Sequence, residues 1–177
     1  MFRYEWIWEK DQAPNFLMAN KQPLKKHESV LIFSDSQTIY NPQMVGNEER
    51  IQRRAPDEIT EVYGGKLSMD SLSVYHGRFP NSIIKFNRQR GLHPTQKPVA
   101  LFEYLIRTYT NEHDLVLDNC AGSGTTGVAC QNLNRNCILI EKEHDYCDII
   151  RERMATAETL QVEQRKQQTL MDFVVAK

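Results

Sequence analysis

Hydrophobic residues form short runs near the start and in the second half of the chain and are sparse between them. The first two runs, Tyr4 to Trp8 and Ser29 to Phe33, are aromatic or β-branched and predict β-strands. Pro and Asn residues punctuate the link between them, which predicts a loop. From Ser34 to Leu92 the pattern loosens, and only residues 58–63 and 81–86 predict strands. Such a long, polar, turn-rich stretch is typical of a disordered loop or a recognition region.

After His93 the pattern becomes regular. Pro98 suits the first turn of a helix, and an apolar stripe follows it. Two all-apolar runs, 115–118 and 137–141, predict strands that are buried on both faces of a parallel sheet. A helix is expected after each of them, one running towards Asn132 and one beginning near His144. The order helix, strand, helix, strand, helix predicts a doubly wound α/β unit. The stripe of the first helix comprises Phe102, Leu105, Ile106 and Tyr109, and the inward face of the last comprises Tyr146, Ile149, Ile150 and Met154.

The composition is that of an ordinary globular protein. The 177 residues suffice for one domain with a core, and 40% hydrophobic with 25% charged residues is a common balance. No apolar run approaches a membrane span of about 20 residues, and the charged, aromatic start is unlike a signal peptide, so we expect a cytoplasmic protein without a membrane partner. The four cysteines lack the C-x-x-C spacing of zinc sites and are predicted to be free thiols, with no metal site.

The charge is uneven along the chain. Residues 1–98 carry 14 Lys and Arg against 11 Asp and Glu, whereas residues 99–177 carry 8 against 12. A polyanion would therefore meet the first part, and Lys85, Arg88 and Arg90 are the candidate DNA-binding residues. The alternative is a solvated charged loop.

One turn carries most of the chemistry. In LVLDNCAGSGTTGVA (115–129) the glycines spell G-x-G-x-x-G between a strand and a helix, where a cofactor meets bare backbone and unpaired N–H groups. Glu141 ends the next strand 19 residues after the first glycine, where a carboxylate accepts hydrogen bonds from ribose hydroxyls in such folds. An adenosine-containing ligand is indicated; the alternative is an ordinary tight turn.

The position of Asp118 argues against NAD. A carboxylate at the tip of the strand would repel a pyrophosphate, whereas it would attract a cationic aminoacyl sulfonium. The chain after Glu141 is also too short for a second nucleotide-binding half. S-adenosyl-L-methionine is therefore the predicted cofactor.

The motif HPTQKP (93–98) followed by DNCAGSGTTGVAC (118–130) resembles the amino-group DNA methyltransferases, which act on adenine N6 or cytosine N4, in their permuted motif order. The resemblance implies double-stranded DNA as substrate and a partial Rossmann-like S-adenosylmethionine-dependent fold with an irregular target-recognition insertion. It implies sheet strands over 1–34, target recognition over 35–92, a cofactor-binding α/β unit over 93–166 and a tail over 167–177.

The resemblance also implies roles for individual residues. The cofactor pocket would be lined by the strand tip and glycine turn, with the ribose at Glu141. His93, Thr95 and Lys97 would flank the methionine end, although a purely structural hydrogen bond is an equal alternative for His93. The strand tip and turn contribute Asp118, Gly122, Ser123, Gly124 and Thr125.

The family's catalytic tetrapeptide, D/N/S-P-P-Y/F/W, does not occur in this sequence, so no catalytic residue is predicted. In the family's sheet, the strand that carries it lies beside the strand ending at Asp118. We therefore expect the C-terminal part of a split, truncated or decayed methyltransferase, inactive alone and with an unpaired strand edge. If the N-terminal part is encoded separately, that fragment would be a partner that restores activity. The alternative is a non-catalytic module that binds S-adenosylmethionine or DNA.

The tail is similar to peptides that dock on sliding clamps. Gln167, Leu170 and Phe173 have the three-residue spacing of such peptides, although Val174 replaces the second aromatic residue. The favoured interpretation is the last turn of a helix that packs on its own domain.

Overall fold

The structure is a computed structural model that describes residues 1–54 and 71–175. The chain divides into two compact units, one comprising Met1–Asn41 with Ser82–Lys177 and the other Pro42–Asn81. In the part of the chain that the structure describes, no helix is both long and apolar enough to cross a membrane.

The first sheet of the larger unit contains both strands predicted near the N-terminus. Strand β1 (Phe2–Glu9) pairs antiparallel with β2 (His27–Phe33). On its other side β1 pairs in parallel with a short strand from the predicted 81–86 run. The core of this sheet comprises Trp6, Trp8 and residues of the first long helix, which packs against it.

The smaller unit is a two-stranded antiparallel ribbon, β3 (Val45–Arg54) with β4 (Ser71–Arg78). The sequence analysis predicted neither strand. In β3 only Val45 and Ile51 are apolar, and in β4 the alternation of Leu72 and Val74 with serines is short, so each strand depends on pairing with the other. Gly77 permits the close approach of the two strands, since a Cβ there would lie 2.4 Å from the carbonyl oxygen of Gly46. The strand predicted over 58–63 lies outside the described residues.

The C-terminal part has the predicted alternation of helices and strands. The parallel strand of the first sheet is β5 (Ile83–Lys85), and α1 (Val99–Tyr109) begins directly after Pro98. Then follow β6 (Leu115–Asp118), α2 (Thr125–Asn132), β7 (Asn136–Leu139) and α3 (His144–Val175), with β6 and β7 paired in parallel.

The α1 stripe is only partly as predicted. Ile106 is buried, but the most buried apolar residue of the helix is Leu101, which packs with Trp6 and Trp8, and Thr108 is buried as well. Ile106 packs instead on Ala129 and Cys130 of α2. The helix therefore bridges the first sheet and the β6–β7 unit with two different faces.

The prediction that β6 and β7 are buried on both faces is wrong. One face packs on the helices, but the other is open: Leu115 and Leu117 are each 62% exposed, and Ile138 and Ile140 are about half exposed. Within the described residues β6 pairs with β7 alone, so its opposite edge is unpaired. Both faces of these strands are apolar, but within the described residues only one face is covered.

The tail lies within α3, whose backbone is helical through Val175. The helical backbone agrees with the interpretation of the tail as the end of a helix. The side chains of Gln167, Leu170 and Phe173 lie outside the described ones, so the resemblance to a clamp peptide stays a prediction.

Candidate cofactor site

A cavity of about 580 Å³ opens at the C-terminal end of β6. Its volume is in the range of small-molecule sites. Seven of the nine predicted cofactor residues line it, namely His93, Thr95, Lys97, Asp118, Gly122, Ser123 and Thr125. The fold thus brings together the HPTQKP loop and the glycine turn, which are distant in sequence. Gly124 and Glu141 do not line it; Gly124 lies against Ile150, and Glu141 accepts a hydrogen bond from the Gly122 N–H.

Two glycines of the turn adopt backbone conformations that other residues rarely adopt. Gly122 and Gly124 have φ angles of +53° and +77°, where L side chains are strained. A Cβ at Gly124 would also lie 2.8 Å from the Cγ1 atom of Ile150 on α3. Packing on α3 therefore explains Gly124 better than the expected approach of a cofactor. The turn is closed by a hydrogen bond from the Gly124 N–H to the Ala121 carbonyl oxygen, 2.8 Å.

Asp118 lies at the tip of β6 with its carboxylate fixed by the turn. Its Oδ1 accepts a hydrogen bond from the Cys120 N–H at 3.1 Å, and its Oδ2 accepts one from the Thr126 hydroxyl. Thr126 is 4% exposed and lines the same cavity. The carboxylate is thus oriented before any ligand arrives, in a position to attract a cation.

Glu141 is fixed by backbone donors. Its Oε1 accepts hydrogen bonds from the N–H groups of Lys142 and Glu143, and its Oε2 accepts one from Gly122 at 2.7 Å. The Glu143 N–H is the largest influence that holds the pKa of Glu141 below its usual value, with further contributions from Gly122 and Lys142. The carboxylate is therefore anionic at neutral pH and tied to the wall of the cavity through Gly122.

His93 makes the structural hydrogen bond that was one of its two predicted roles, whereas its place beside the methionine end of a cofactor stays a prediction. Its Nδ1 accepts a hydrogen bond from the Thr95 N–H at 3.1 Å, so the neutral ring carries its proton on Nε2. The ring also lines the cavity, lies 3.5 Å from where a Gly122 Cβ would be, and stacks at a tilt on Tyr146 with centroids 4.5 Å apart. The His93 ring therefore forms part of the cavity wall, and the hydrogen bond from Thr95 in the same loop fixes its orientation.

Lys97 is turned towards the first sheet. Its Nζ donates to Glu28 Oε2 at 2.7 Å, while Lys10, 7% exposed, binds the other oxygen of Glu28. Both ammonium groups lie over the Trp8 ring, 5.2 and 5.7 Å from its centroid. The backbone carbonyl of Lys97 accepts a hydrogen bond from the Thr125 hydroxyl at 3.2 Å. Lys97 therefore joins the HPTQKP loop to β2 and to the start of α2.

The three candidate DNA-binding residues differ in their surroundings. Arg88, only 12% exposed, forms an ion pair with Asp11 at 3.1 Å, and Lys85 pairs with Glu9 at 3.2 Å. Arg90 is exposed and forms no ion pair within the described residues. Arg90 is thus the one of the three whose charge is available to a phosphate.

The cysteines are free thiols, as expected. Cys120 is exposed and lines the cavity, whereas burial, the largest influence, raises the pKa of Cys130 to about 12. No group of His, Cys, Asp or Glu able to hold a metal ion occurs among the described residues.

Sequence reasoning missed four residues that shape the site: Thr126, Glu28, Arg153 and, as a contact of His93, Tyr146. Arg153 on α3 donates to the carbonyl oxygen of Ser123. Thr126 lies in the motif itself, and Tyr146 was predicted to face inward on the last helix, although not to contact His93. The others come from distant elements, and their contacts depend on packing.

Most of the chain matches a known protein family. A family model described as DNA methylase, N6_N4_Mtase, matches residues 1–152. The chain is 39% identical over 90 residues to type II methyltransferase M.HpaI of Haemophilus parainfluenzae, a match that covers 48% of this chain and 29% of the relative. It is 31% identical over 151 residues to M.BglII of Bacillus subtilis, covering 81% of this chain and 39% of the relative.

Among solved structures, the chain is similar to the M1.HpyAVI–SAM complex, with a TM-score of 0.55 and 27% identity. This match covers 87% of the chain and 62% of the solved one. The chain thus spans 29% and 39% of the lengths of the two curated relatives above.

Proposed function

Because the chain belongs to the N6/N4 DNA methylase family, we propose that it forms the cofactor-binding part of a DNA amino-methyltransferase that uses S-adenosyl-L-methionine. The observation that carries the proposal is the cavity at the tip of β6, where the HPTQKP loop meets the glycine turn and Asp118. The similar solved structure of M1.HpyAVI, a complex with SAM, supports this choice of cofactor.

The residues present fit this cofactor. Asp118 offers a pre-oriented carboxylate in the cavity, suited to the cationic aminoacyl sulfonium end. Glu141 is anionic, and each of its oxygens has two acceptor sites, so Oε2 can accept a ribose hydroxyl in addition to the Gly122 N–H. His93 and Gly122 supply flat, closely spaced walls. The HPTQKP loop is held by Glu28 and Thr125 and needs little ordering on binding.

When bound, S-adenosylmethionine supplies an activated methyl group. The residues of this chain bind and orient it, and no residue here is assigned to the target amine, because the family's catalytic tetrapeptide does not occur in these 177 residues. Methyl transfer to an amine needs positioning and polarisation rather than a covalent nucleophile. We propose that another polypeptide segment supplies the tetrapeptide.

An apolar extension of the cavity and a strand edge support the proposal of such a segment. The cavity extends from Asp118 along the length of β6 and is flanked there by the inward residues of α1, which are Phe102, Leu105, Ile106 and Tyr109. The edge of β6 beside it is unpaired within the described residues. An extended apolar strand added to this edge would satisfy its backbone groups and bury the apolar residues beside it. A methyltransferase segment that carries the tetrapeptide is the partner we propose.

Double-stranded DNA is the proposed substrate, in the manner of the type II relatives, and Arg90 is the proposed phosphate contact. Adenine N6 and cytosine N4 are both targets of this family. A tail that docks on a sliding clamp through Gln167, Leu170 and Phe173 is a lesser proposal, because α3 is helical there.

A complementation assay tests the proposal. The chain is mixed or co-expressed with an amino-terminal segment of a matched relative that contains the tetrapeptide, and transfer of labelled methyl groups to duplex DNA is measured. We expect incorporation with both pieces, none with either alone, and inhibition by S-adenosylhomocysteine but not by NAD. Persistent inactivity of a demonstrated complex would favour the alternative, a non-catalytic binding module.

A further inference from the structure

Three residues on one face of the long helix α3 contact the glycine turn and the start of α2. Ile150 lies against Gly124, and Met154 lies against Gly127, where a Cβ would be 2.8 Å from its sulfur. Between them, Arg153 Nη1 donates to the Ser123 carbonyl oxygen at 2.5 Å and is 3.2 Å from the Ser123 hydroxyl. Since residues three and four apart share one face of a helix, these side chains form a single support for the turn.

Arg153 is unlike Arg151, which lies two residues earlier on the same helix. It is half-buried, and desolvation by burial lowers its pKa. It forms no ion pair within the described residues. Its hydrogen bonds to Ser123 therefore replace the hydrogen bonds to water that the guanidinium loses on burial. Arg151, by contrast, is 74% exposed and pairs with Asp148. A half-buried cation whose hydrogen bonds both go to one residue of the turn calls for an explanation beyond surface charge.

The orientation of that carbonyl matters because Ser123 lines the cavity. The next residue is Gly124 at φ +77°, and glycine lets the intervening peptide rotate at little steric cost. Rotation of this peptide would turn the Ser123 carbonyl oxygen away from α3 and change the direction of the Gly124 N–H. Two hydrogen bonds oppose this rotation: the Gly124 N–H donates to the Ala121 carbonyl oxygen, and Arg153 holds the Ser123 oxygen on the α3 side. The N–H groups at the start of α2 then remain the polar groups of the turn.

We propose that Arg153 is a positioning residue that fixes the Ser123–Gly124 peptide and thereby shapes the cofactor cavity. The expected effect of Arg153 on cofactor affinity rests on the function proposed above, whereas its effect on the conformation of the turn does not. A charge-assisted pair of hydrogen bonds of this kind corresponds to about 10–100-fold in binding when lost.

The test compares Arg153→Met and Arg153→Lys with Arg151→Met as a matched control on the same helix. Two readouts are taken on the full chain: amide hydrogen exchange at Gly124 without ligand, and the dissociation constant for S-adenosylhomocysteine. We expect faster exchange at Gly124 and about 10–100-fold weaker binding for Arg153→Met, partial recovery for Arg153→Lys, and less than twofold change for Arg151→Met.

A general loss of stability would accelerate exchange throughout α2 and β6, whereas loss of the anchor accelerates it first at the turn. If Gly124 exchange and affinity are unchanged in Arg153→Met, the inference is overturned. If the wild-type protein binds no S-adenosylhomocysteine but the turn still exchanges faster in Arg153→Met, the anchor stands and the proposed function fails.

Discussion

At the residue scale, carboxylates at this site are oriented by neighbours rather than left in solvent. Thr126 and the Cys120 N–H hold Asp118, three backbone N–H groups hold Glu141, and two lysines hold Glu28. Pre-orientation reduces the ordering that a ligand must impose, which is how a modest cavity gains affinity. The motif alone reveals the acids but not the groups that fix them.

Glu28 gives a pH prediction. Burial, the largest influence, opposes ionisation, but the hydrogen bonds and charges of Lys10 and Lys97 outweigh it and leave the pKa of Glu28 below its usual 4.5. A lowered carboxyl pKa stabilises the fold above 4.5, and this contribution is lost as the pH falls through the folded-state value. Because the Glu28 side chain is 35% exposed, solvent screens these pairs, and Glu28→Gln should lower the free energy of unfolding at pH 7 by roughly 1 kcal/mol and flatten its decline below pH 4.5.

The measurement is urea unfolding at several pH values, with Glu152→Gln, an exposed position on α3, as the control. Glu9, Asp11 and Glu141 also have lowered pKa values and keep some acid sensitivity in both variants. Equal acid sensitivity in Glu28→Gln and the wild type would show that the two lysines do not stabilise this carboxylate.

At the element scale, the β6–β7 pair is the least complete part of the larger unit. It has an unpaired edge within the described residues and a face on which Leu115 and Leu117 are exposed. Strands with such edges pair with other chains. We predict that the protein purified alone self-associates through this surface and gains stability when a complementary segment covers it.

Leu117→Gln tests this surface. Removing one exposed leucine from the contact should weaken self-association about tenfold, measured by sedimentation velocity over a range of concentrations. Leu17→Gln is the matched control, because Leu17 is 83% exposed but lies in the loop after β1. A monomer at all concentrations that unfolds cooperatively at a high midpoint would contradict the prediction.

At the scale of the whole molecule, local patterns predicted the C-terminal helices and strands because their apolar periodicity is strong and their turns carry glycine or proline. The ribbon of β3 and β4 was missed because β3 is mostly charged and the apolar alternation in β4 is short, so the two strands depend on pairing with each other. The two-sided burial of β6 was wrong because the apolar run Leu115–Leu117 indicates what a strand can bury, not what covers it. Most of the cavity lining could be named from HPTQKP and the glycine turn, but the supports from Glu28, Tyr146 and Arg153 could not, since packing alone brings them there.

The most direct test of the central claim is calorimetric titration of the folded chain with S-adenosylmethionine and S-adenosylhomocysteine, beside an Asp118→Asn variant of nearly equal shape. We predict saturable heat for one site with both compounds, binding about tenfold or more weaker in Asp118→Asn, and no competition by NAD. A chain that circular dichroism shows to be folded, and that yet gives no saturable heat with either compound, alone or with its complementing segment, would contradict the account.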